Sequence, residues 1–350
     1  MQKNFGRFAY STHKASHNLT HVSSVWLISE LTPSPLINAA VPVLKNIAAL
    51  LPLKRSEGAY YVMVAGLIVL EISGIALVSQ FELIWLLIGL SILGLFIYFC
   101  AECASRASVL DVFSKDSGLE ARDLYQAEDL SSFLGIGISG VLQLSIFQYP
   151  IAILMQLPFI SILLKSRKSQ PDLTRNLAPR KAPPFHGWCI LQGITYGALF
   201  ALLPLWANRV YGASPWQFSL LLLSFFIGRS FQRYFPPMPK GLPMILTSVI
   251  LIFTLKPNIP IAAEIALFSP IGALIGCSDF ELVDSISNYG SPSYCWDMKS
   301  RSGNLGGIAG AFLMGLAAQA FGIIKAMPLL CIVYAVVGII VLILRPKKSA

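Results

Sequence analysis

The stretch "KSRKSQPDLTRNLAPRKAPPFH", residues 165–186, is the longest part of the chain without apolar character. It is basic and rich in proline, so it cannot contribute to a hydrophobic core. On either side of it lie apolar runs long enough to cross the roughly 30 Å hydrocarbon layer of a bilayer. Of the 350 residues, 55% are apolar and 12% are charged, whereas soluble domains carry about 25% charged residues. The sequence therefore predicts an all-α polytopic membrane protein.

The apolar runs predict twelve transmembrane helices, six before residue 165 and six after residue 186. The run 133–164 is too long for one crossing and contains "FQYP" at 147–150, so it counts as two spans joined by a tight hairpin. The two earliest spans are weaker candidates that flank the sequence "TPSP". The ten spans predicted outside the run 133–164 are 9–31, 36–53, 59–80, 83–102, 187–206, 216–231, 243–255, 259–277, 305–323 and 327–344.

The positions of lysine and arginine support this count independently. With the N-terminus placed in the cytoplasm, Arg209, Lys256 and Lys325 fall on the outer side and Lys45 falls inside a span, which leaves 22 of the 26 basic residues in cytoplasmic segments or toward the cytoplasmic ends of spans. Cytoplasmic loops of membrane proteins carry such an excess of positive charge, and one missed span would invert it. We therefore expect both termini and the 165–186 linker to be cytoplasmic. Residues 1–17 have no apolar central region, so we expect no cleaved signal peptide.

No motif in the chain indicates catalysis. The sequence contains no GxSxG, no phosphate-binding glycine loop and no pair of metal-ligand clusters. Cys100 and Cys103 form a single CxxC, which is weak support for metal or redox chemistry. The net charge of +9 is spread over loops rather than gathered in a basic arm. We expect a protein that is not an enzyme, has no catalytic residue, metal site or cofactor, lies in the lipid bilayer and does not bind nucleic acid.

Three stretches carry a resemblance to a known family: "WLISELTPSPL" at 26–36, "RDLYQAEDLSSFLGIGISGVL" at 122–142 and "RSGNLGGIAGAFLMGLAAQAFG" at 301–322. They resemble the major facilitator superfamily, in particular its enterobactin-exporter-like bacterial permeases. The resemblance implies a twelve-helix protein of the bacterial cytoplasmic (inner) membrane, with six-helix halves at 1–164 and 187–350. It also implies a secondary active transporter that moves a small organic solute by alternating access, more often outward, and it leaves proton coupling open.

One loop departs from the pattern of that superfamily. Members usually carry a glycine and an Asp-Arg pair between spans two and three, where charged side chains lock helix ends during gating. The corresponding segment here is "LLPLKRSEG", residues 50–58. Lys54 and Arg55 retain the positive charge and are the gating-loop candidates, but the Asp-Arg pair and its leading glycine are absent. The alternative function is therefore a transport-inactive membrane scaffold or assembly factor built on the same fold.

Two predicted spans are rich in glycine. Small residues at spacings of three and four let membrane helices approach each other closely, so we expect these glycines to serve packing rather than ligand contact. They are Gly303, Gly306, Gly307, Gly310 and Gly315 in span eleven and Gly135, Gly137 and Gly140 in span five.

Three ionisable residues fall inside predicted spans: Lys45, Glu71 and Glu264. Each costs roughly 2.5–3.5 kcal/mol at the centre of a membrane helix even on a lenient scale, so each is a candidate for binding substrate or protons. The alternatives are a structural ion pair or a side chain that reaches the headgroups. Lys45 and Glu71 lie near the same depth in consecutive spans, and we expect them to form a charge pair.

Three histidines, His13, His17 and His21, lie four residues apart before the apolar part of span one. If the helix starts near residue 9, as the resemblance implies, a face this polar requires water or protein partners. His17 and His21, with Asn18 beside them, could then bind an anionic substrate or carry protons. If the span starts near Val22, as hydropathy alone indicates, they only solvate the cytoplasmic mouth, which is the interpretation we favour for His13.

Overall fold

The computed structural model describes residues 2–53, 58–79, 84–117, 121–142, 148–169, 183–236, 238–254, 259–286 and 292–344. Twelve α-helices and one short 3-10 turn, Gln232–Tyr234, run through these residues, and no strand is present among them. The helices are α1 Gln2–Leu31, α2 Pro35–Leu50, α3 Gly58–Ser79, α4 Ile84–Ser117, α5 Ala121–Leu142, α6 Gln148–Ser169, α7 Gly187–Arg209, α8 Pro215–Ser230, α9 Leu242–Thr254, α10 Ile261–Ile286, α11 Pro292–Phe321 and α12 Ile323–Ile343. The predicted count of twelve helices is confirmed.

Several helix ends differ from the predicted spans. Helix α1 already begins at Gln2, so all three early histidines lie inside it. This agrees with the early start that the resemblance implies and not with the start near Val22 that hydropathy indicates. The predicted hairpin at 147–150 is misplaced, because Gln148–Pro150 form the first turn of α6. Proline is tolerated there since first-turn N–H groups have no intrahelical partner. Residues 165–169 of the predicted linker continue α6, because backbone hydrogen bonding can extend a helix beyond its apolar part.

Four helices are long and apolar enough over their described residues to cross a bilayer: α7, α10, α11 from Asp297 onward, and α12. Shorter apolar helical segments lie in α2, α3, α4, α5, α6 and α9. Helix α1 is different, because its polar residues are too frequent for contact with lipid. The chain is a multi-pass membrane protein.

The described helices form two compact units. The first unit contains α1 and α3–α6, and the second contains α2 and α7–α12. Helix α2 belongs to the second unit because it packs on α11 and α7. At that contact a Cβ atom on Gly315 would come within 2.7 Å of the Ala39 Cβ, and the Ser34 hydroxyl donates to Gln319 Oε1 at 3.1 Å. The division into halves at 1–164 and 187–350 remains a prediction from the sequence.

Glycines join α7 to α11 inside the second unit. A Cβ atom on Gly193 or Gly197 would lie 2.1 or 2.2 Å from a carbonyl oxygen of α11, and one on Gly306 or Gly310 would lie 2.0 Å from a carbonyl oxygen of α7. The two backbones are therefore in direct contact, which confirms the packing role predicted for these span-eleven glycines.

The span-five glycines do not all share this role. A Cβ atom on Gly135 of α5 would lie 2.3 Å from the Ala15 carbonyl oxygen of α1, so this glycine permits a close approach of the two helices. For Gly137 the prediction is wrong, because nothing lies within 4 Å of its Cβ position. Spacing alone cannot reveal which of two nearby glycines faces a neighbouring helix.

Candidate functional site

Helix α1 carries a buried polar face in the first unit. Ser16 and Thr20 are fully buried, and His13, Lys14 and His17 are each at most 9% exposed. Hydrogen bonds to α6 satisfy part of this face: the Ser16 hydroxyl donates to the Ala152 carbonyl oxygen at 2.8 Å, and Ser24 Oγ lies 3.1 Å from Tyr149 Oη. A helix this polar is compatible with a membrane protein because its side chains meet protein partners instead of lipid.

His17 is the centre of a titratable group formed by α1 and α4. Its Nδ1 atom is hydrogen-bonded to the Tyr98 hydroxyl and lies 3.9 Å from Glu102 Oε2. Tyr98 is 1% exposed, and the side chain of Glu102 is about a quarter exposed. An imidazole and a carboxylate thus lie side by side where α1 contacts α4.

His13 lies in the interior and not at a solvated mouth, so the interpretation favoured from the sequence is wrong. Its Nδ1–H donates to Gln156 Oε1 at 2.7 Å, and the Tyr60 hydroxyl donates to the same oxygen, also at 2.7 Å. The ring stacks on Phe159 at 4.3 Å and meets the His17 ring edge-on at 4.5 Å. The amide oxygen has two lone pairs and can accept both bonds. His13 therefore connects α1, α3 and α6 next to the His17 group.

His21 and Asn18, also predicted for this face, lie beside Phe99 and beside α5. His21 is half-buried, and its ring centroid is 6.0 Å from that of Phe99. Asn18 is on the side of α1 that faces α5, since a Cβ atom added to Gly135 would lie 2.9 Å from the Asn18 Cβ. The structure thus brings His17 together with His13, Tyr98 and Glu102, whereas the sequence paired it with His21 and Asn18.

The remaining candidates are Lys45, Glu71, Lys54 and Arg55. Lys45 is exposed on α2 in the second unit. Glu71 is in α3 of the first unit, and its side chain lies outside the described residues. Lys54 and Arg55 also lie outside the described residues. The charge pair and the gating-loop role remain predictions.

Glu264 is fully buried near the start of α10. It is therefore not a side chain that reaches the headgroups, and no ion pair to it is present among the described residues. Its polar neighbour is Tyr211, whose hydroxyl proton is donated to the Thr254 carbonyl oxygen at 2.6 Å. Neither carboxyl oxygen accepts a hydrogen bond of normal geometry within the described chain.

A charged cluster that the sequence analysis missed lies in the second unit. Asp279 of α10 is 5% exposed, and its Oδ2 atom accepts hydrogen bonds from Arg229 Nη2 of α8 and from the Tyr196 hydroxyl of α7, both at 2.7 Å. Its Oδ1 atom lies 2.9 Å from Lys299 Nζ of α11. Four helices thus meet at one carboxylate. Two cations, Arg229 and Lys299, contact the same acid.

Glu102 and Asp279 were missed for the same reason. Glu102 is the last residue of the apolar run 83–102, and Asp279 comes two residues after the run 259–277. Hydropathy therefore placed both acids at the end of a span. The helices continue past both residues, α4 to Ser117 and α10 to Ile286, which puts both acids inside the helical bundle. Arg229 and Lys299 were counted only as loop charges. An acid at the last turn of an apolar run is the signal that could have found these positions.

No protein-family model matches the sequence, and the search of curated proteins found no similar sequence. Solved structures do match. A variant of the peptide transporter POT aligns with a TM-score of 0.66 at 11% identity, covering 96% of this chain and 93% of that one. The nucleoside transporter NupG aligns with a TM-score of 0.63 at 12% identity, covering 97% of both chains.

The human organic anion transporter MFSD10 aligns with a TM-score of 0.55 at 13% identity, covering 97% of this chain and 99% of that one. At identities this low, the structural match shows that the fold is shared and no more. The chain therefore has the twelve-helix fold of major facilitator transporters over nearly its whole length. The likeness to the enterobactin-exporter-like branch remains a resemblance in the sequence.

Proposed function

We propose that this protein is a secondary active transporter that moves a small organic solute across the membrane by alternating access, coupled to a proton bound at His17 and Glu102. The observation that carries the proposal is the buried group of His17, Tyr98 and Glu102, within a fold shared with known transporters. Intramembrane ionisable residues are costly and typically mark a substrate or proton path.

The chemistry of the group suits proton coupling. An ordinary imidazole titrates at about pH 6.5, so small changes in its surroundings move it across the physiological range. When α4 keeps Glu102 beside His17, the carboxylate stabilises the imidazolium. A movement that separates the two residues would remove this stabilisation and release the proton. Proton binding at His17 would thereby be linked to the position of α4 against α1.

The class of solute stays broad in this proposal. Structural neighbours are described as nucleoside, peptide and organic anion transporters, so they support a small organic solute without selecting one. The presence of two cations, Arg229 and Lys299, beside Asp279 favours a solute with an anionic group. Export from the cytoplasm, an inner-membrane location and cytoplasmic termini follow from the resemblance and from the charge distribution.

The test begins with a ligand screen of the purified protein. Thermal stabilisation is measured against panels of nucleosides, peptides and organic anions at several pH values between 5.5 and 8. A stabilising solute is then added to proteoliposomes that contain a pH-sensitive dye. We expect solute-driven proton flux in wild type. We expect the His17→Gln and Glu102→Gln proteins to bind the solute without the wild-type dependence on pH and to lose the proton flux.

His186→Gln is the matched control. His186 lies outside the predicted spans, directly before α7, where burial lowers its pKa. This variant should keep both the pH profile and the flux. Superimposable pH profiles and equal flux in wild type and the His17→Gln protein would show that His17 is not the coupling site.

The alternative is a transport-inactive scaffold with the same fold. The segment "LLPLKRSEG" favours it, because the Asp-Arg pair expected for gating is absent. A scaffold should show no stabilising solute at any pH in the screen and no solute-driven flux. A single solute that both stabilises the protein and drives flux would exclude it.

A further inference from the structure

The ring of His13 has one nitrogen that the contacts of the first unit do not use. Nδ1 donates its proton to Gln156 Oε1 at 2.7 Å, whereas Nε2 takes part in no hydrogen bond within the described chain. Nε2 is also not one of the enclosed polar atoms of this unit, which include Gln156 Nε2. The 8% of His13 that is exposed therefore includes this atom.

Three neighbours hold this ring in one orientation. Stacking on Phe159, with ring centroids 4.3 Å apart and planes 11° apart, fixes the plane of the ring. Gln156 is fully buried, and its Oε1 atom also accepts a hydrogen bond from the Tyr60 hydroxyl at 2.7 Å, which holds the amide in place. In a neutral imidazole whose proton is on Nδ1, Nε2 is an acceptor. His13 thus presents an acceptor whose direction is set before any ligand binds.

The surface around this acceptor is polar, which is unlike a surface that faces lipid. Thr12, Asn18 and His21 of the same helix are half-buried. Lys14, next to His13 in the chain, is 8% exposed. Polar side chains within a membrane protein face water or protein and not hydrocarbon. A dissolved solute can therefore reach Nε2, and a single N–H or O–H group is sufficient for the contact.

We propose that His13 Nε2 accepts a hydrogen bond from an N–H or O–H group of the transported solute. This subsite rests on the proposed transport function and adds one requirement to it, namely a donor group on the solute. The His17 ring meets the His13 ring edge-on at 4.5 Å, so the donor binds directly beside the proposed proton site. Methylation of that donor should weaken binding about fivefold, which corresponds to one hydrogen bond of ordinary strength.

The experiment compares solutes with their methylated analogues by thermal stabilisation of the purified protein. Uridine is paired with analogues methylated at N3 or at single ribose oxygens, and alanylalanine with its N-methyl forms. Any other solute that stabilises the protein is treated in the same way. For a solute that binds, we expect methylation at one position to raise the Kd of the wild-type protein about fivefold.

Two substitutions at His13 separate the roles of its nitrogens. In His13→Asn the shorter amide can still donate to Gln156 but has no acceptor where Nε2 lies, so the same methyl group should cause no further loss. In His13→Gln the longer side chain can place an amide oxygen near that position, so part of the discrimination should return. His21→Asn is the matched control on the same helix and should leave the fivefold ratio unchanged.

The outcomes distinguish this subsite from the transport function. A solute that binds, but for which wild type and His13→Asn show the same ratio at every methylated position, would overturn the subsite alone. The absence of any stabilising solute would overturn both. The ¹⁵N NMR spectrum of histidine-labelled wild type gives a result even if a variant fails to fold. An unprotonated Nε2 signal should move when the solute binds, and Nε2 signals that all stay in place would contradict the proposal.

Discussion

Asp279 illustrates how one side chain can organise a helical bundle. Its two carboxylate oxygens receive groups from α7, α8 and α11, so the residue joins three helices to its own. Arg229 is 40% exposed at its side chain, whereas Asp279 is 7% and Lys299 is 18% exposed. The Asp279–Lys299 contact is therefore the better shielded of the two ion pairs, and water screens the Arg229 contact.

Replacing Asp279 should be strongly destabilising. Asp279→Asn would leave Lys299 and Arg229 without their carboxylate, and breaking a buried pair from one side typically costs about 3–5 kcal/mol. We expect a loss near the lower end of that range, because Arg229 can turn toward solvent. Thermal unfolding in detergent, followed by size-exclusion chromatography, measures the loss. Arg229→Met, which keeps the shielded pair, should cost less; a larger loss from Arg229→Met than from Asp279→Asn would contradict this account.

At the scale of elements, two pairs of helices in the second unit are in direct backbone contact at glycines. At glycines of α7 and α11, a carbonyl oxygen of the partner helix occupies the space that a Cβ atom would fill. The same arrangement joins α8 to α10, where Cβ atoms on Gly228 and Gly272 would lie 1.7 and 1.9 Å from carbonyl oxygens of the partner helix. Lipid supplies no hydrophobic driving force between helices, so close van der Waals contact of this kind stabilises the unit.

Adding one methyl group at this interface should separate the helices. In Gly310→Ala the new Cβ would start 2.0 Å from the Ile194 carbonyl oxygen, so the backbones must move apart, and overpacking of this kind typically costs about 1–3 kcal/mol. Gly137→Ala is the control, since nothing lies within 4 Å of its Cβ position. Alanine there should be neutral or slightly stabilising because it favours the helix. Equal thermal stability of the two variants would count against backbone contact at α7–α11.

At the scale of the whole molecule, membrane orientation follows from charge rather than from contacts. The biased distribution of lysine and arginine predicts that the 165–186 linker is cytoplasmic and that the connection between α9 and α10 faces outward. Residues 165–169 of this linker extend α6, residues 170–182 lie outside the described residues, and residues 183–186 lead into α7.

Single-cysteine labelling tests that orientation with a matched pair of substitutions. In a background without the six native cysteines, Asn258→Cys should react with a membrane-impermeant maleimide in intact cells, because it lies between the predicted spans nine and ten. Asn176→Cys, in the linker, should react only after the membrane is permeabilised. Labelling of Asn176→Cys in intact cells would invert the topology and contradict cytoplasmic termini.

Composition and the spacing of apolar runs were sufficient to predict twelve helices and a membrane protein, because a helix that crosses hydrocarbon must be long and apolar whatever surrounds it. The packing role of Gly306 and Gly310 was also predictable, because small residues at helical spacing can be read from the sequence. The partners of polar side chains were not. Gln156 and Tyr60 lie far along the chain from His13, and Arg229 and Lys299 lie on different helices from Asp279, so only the packing of helices places them together. Buried polar groups need partners, but sequence periodicity does not say which residues those partners are.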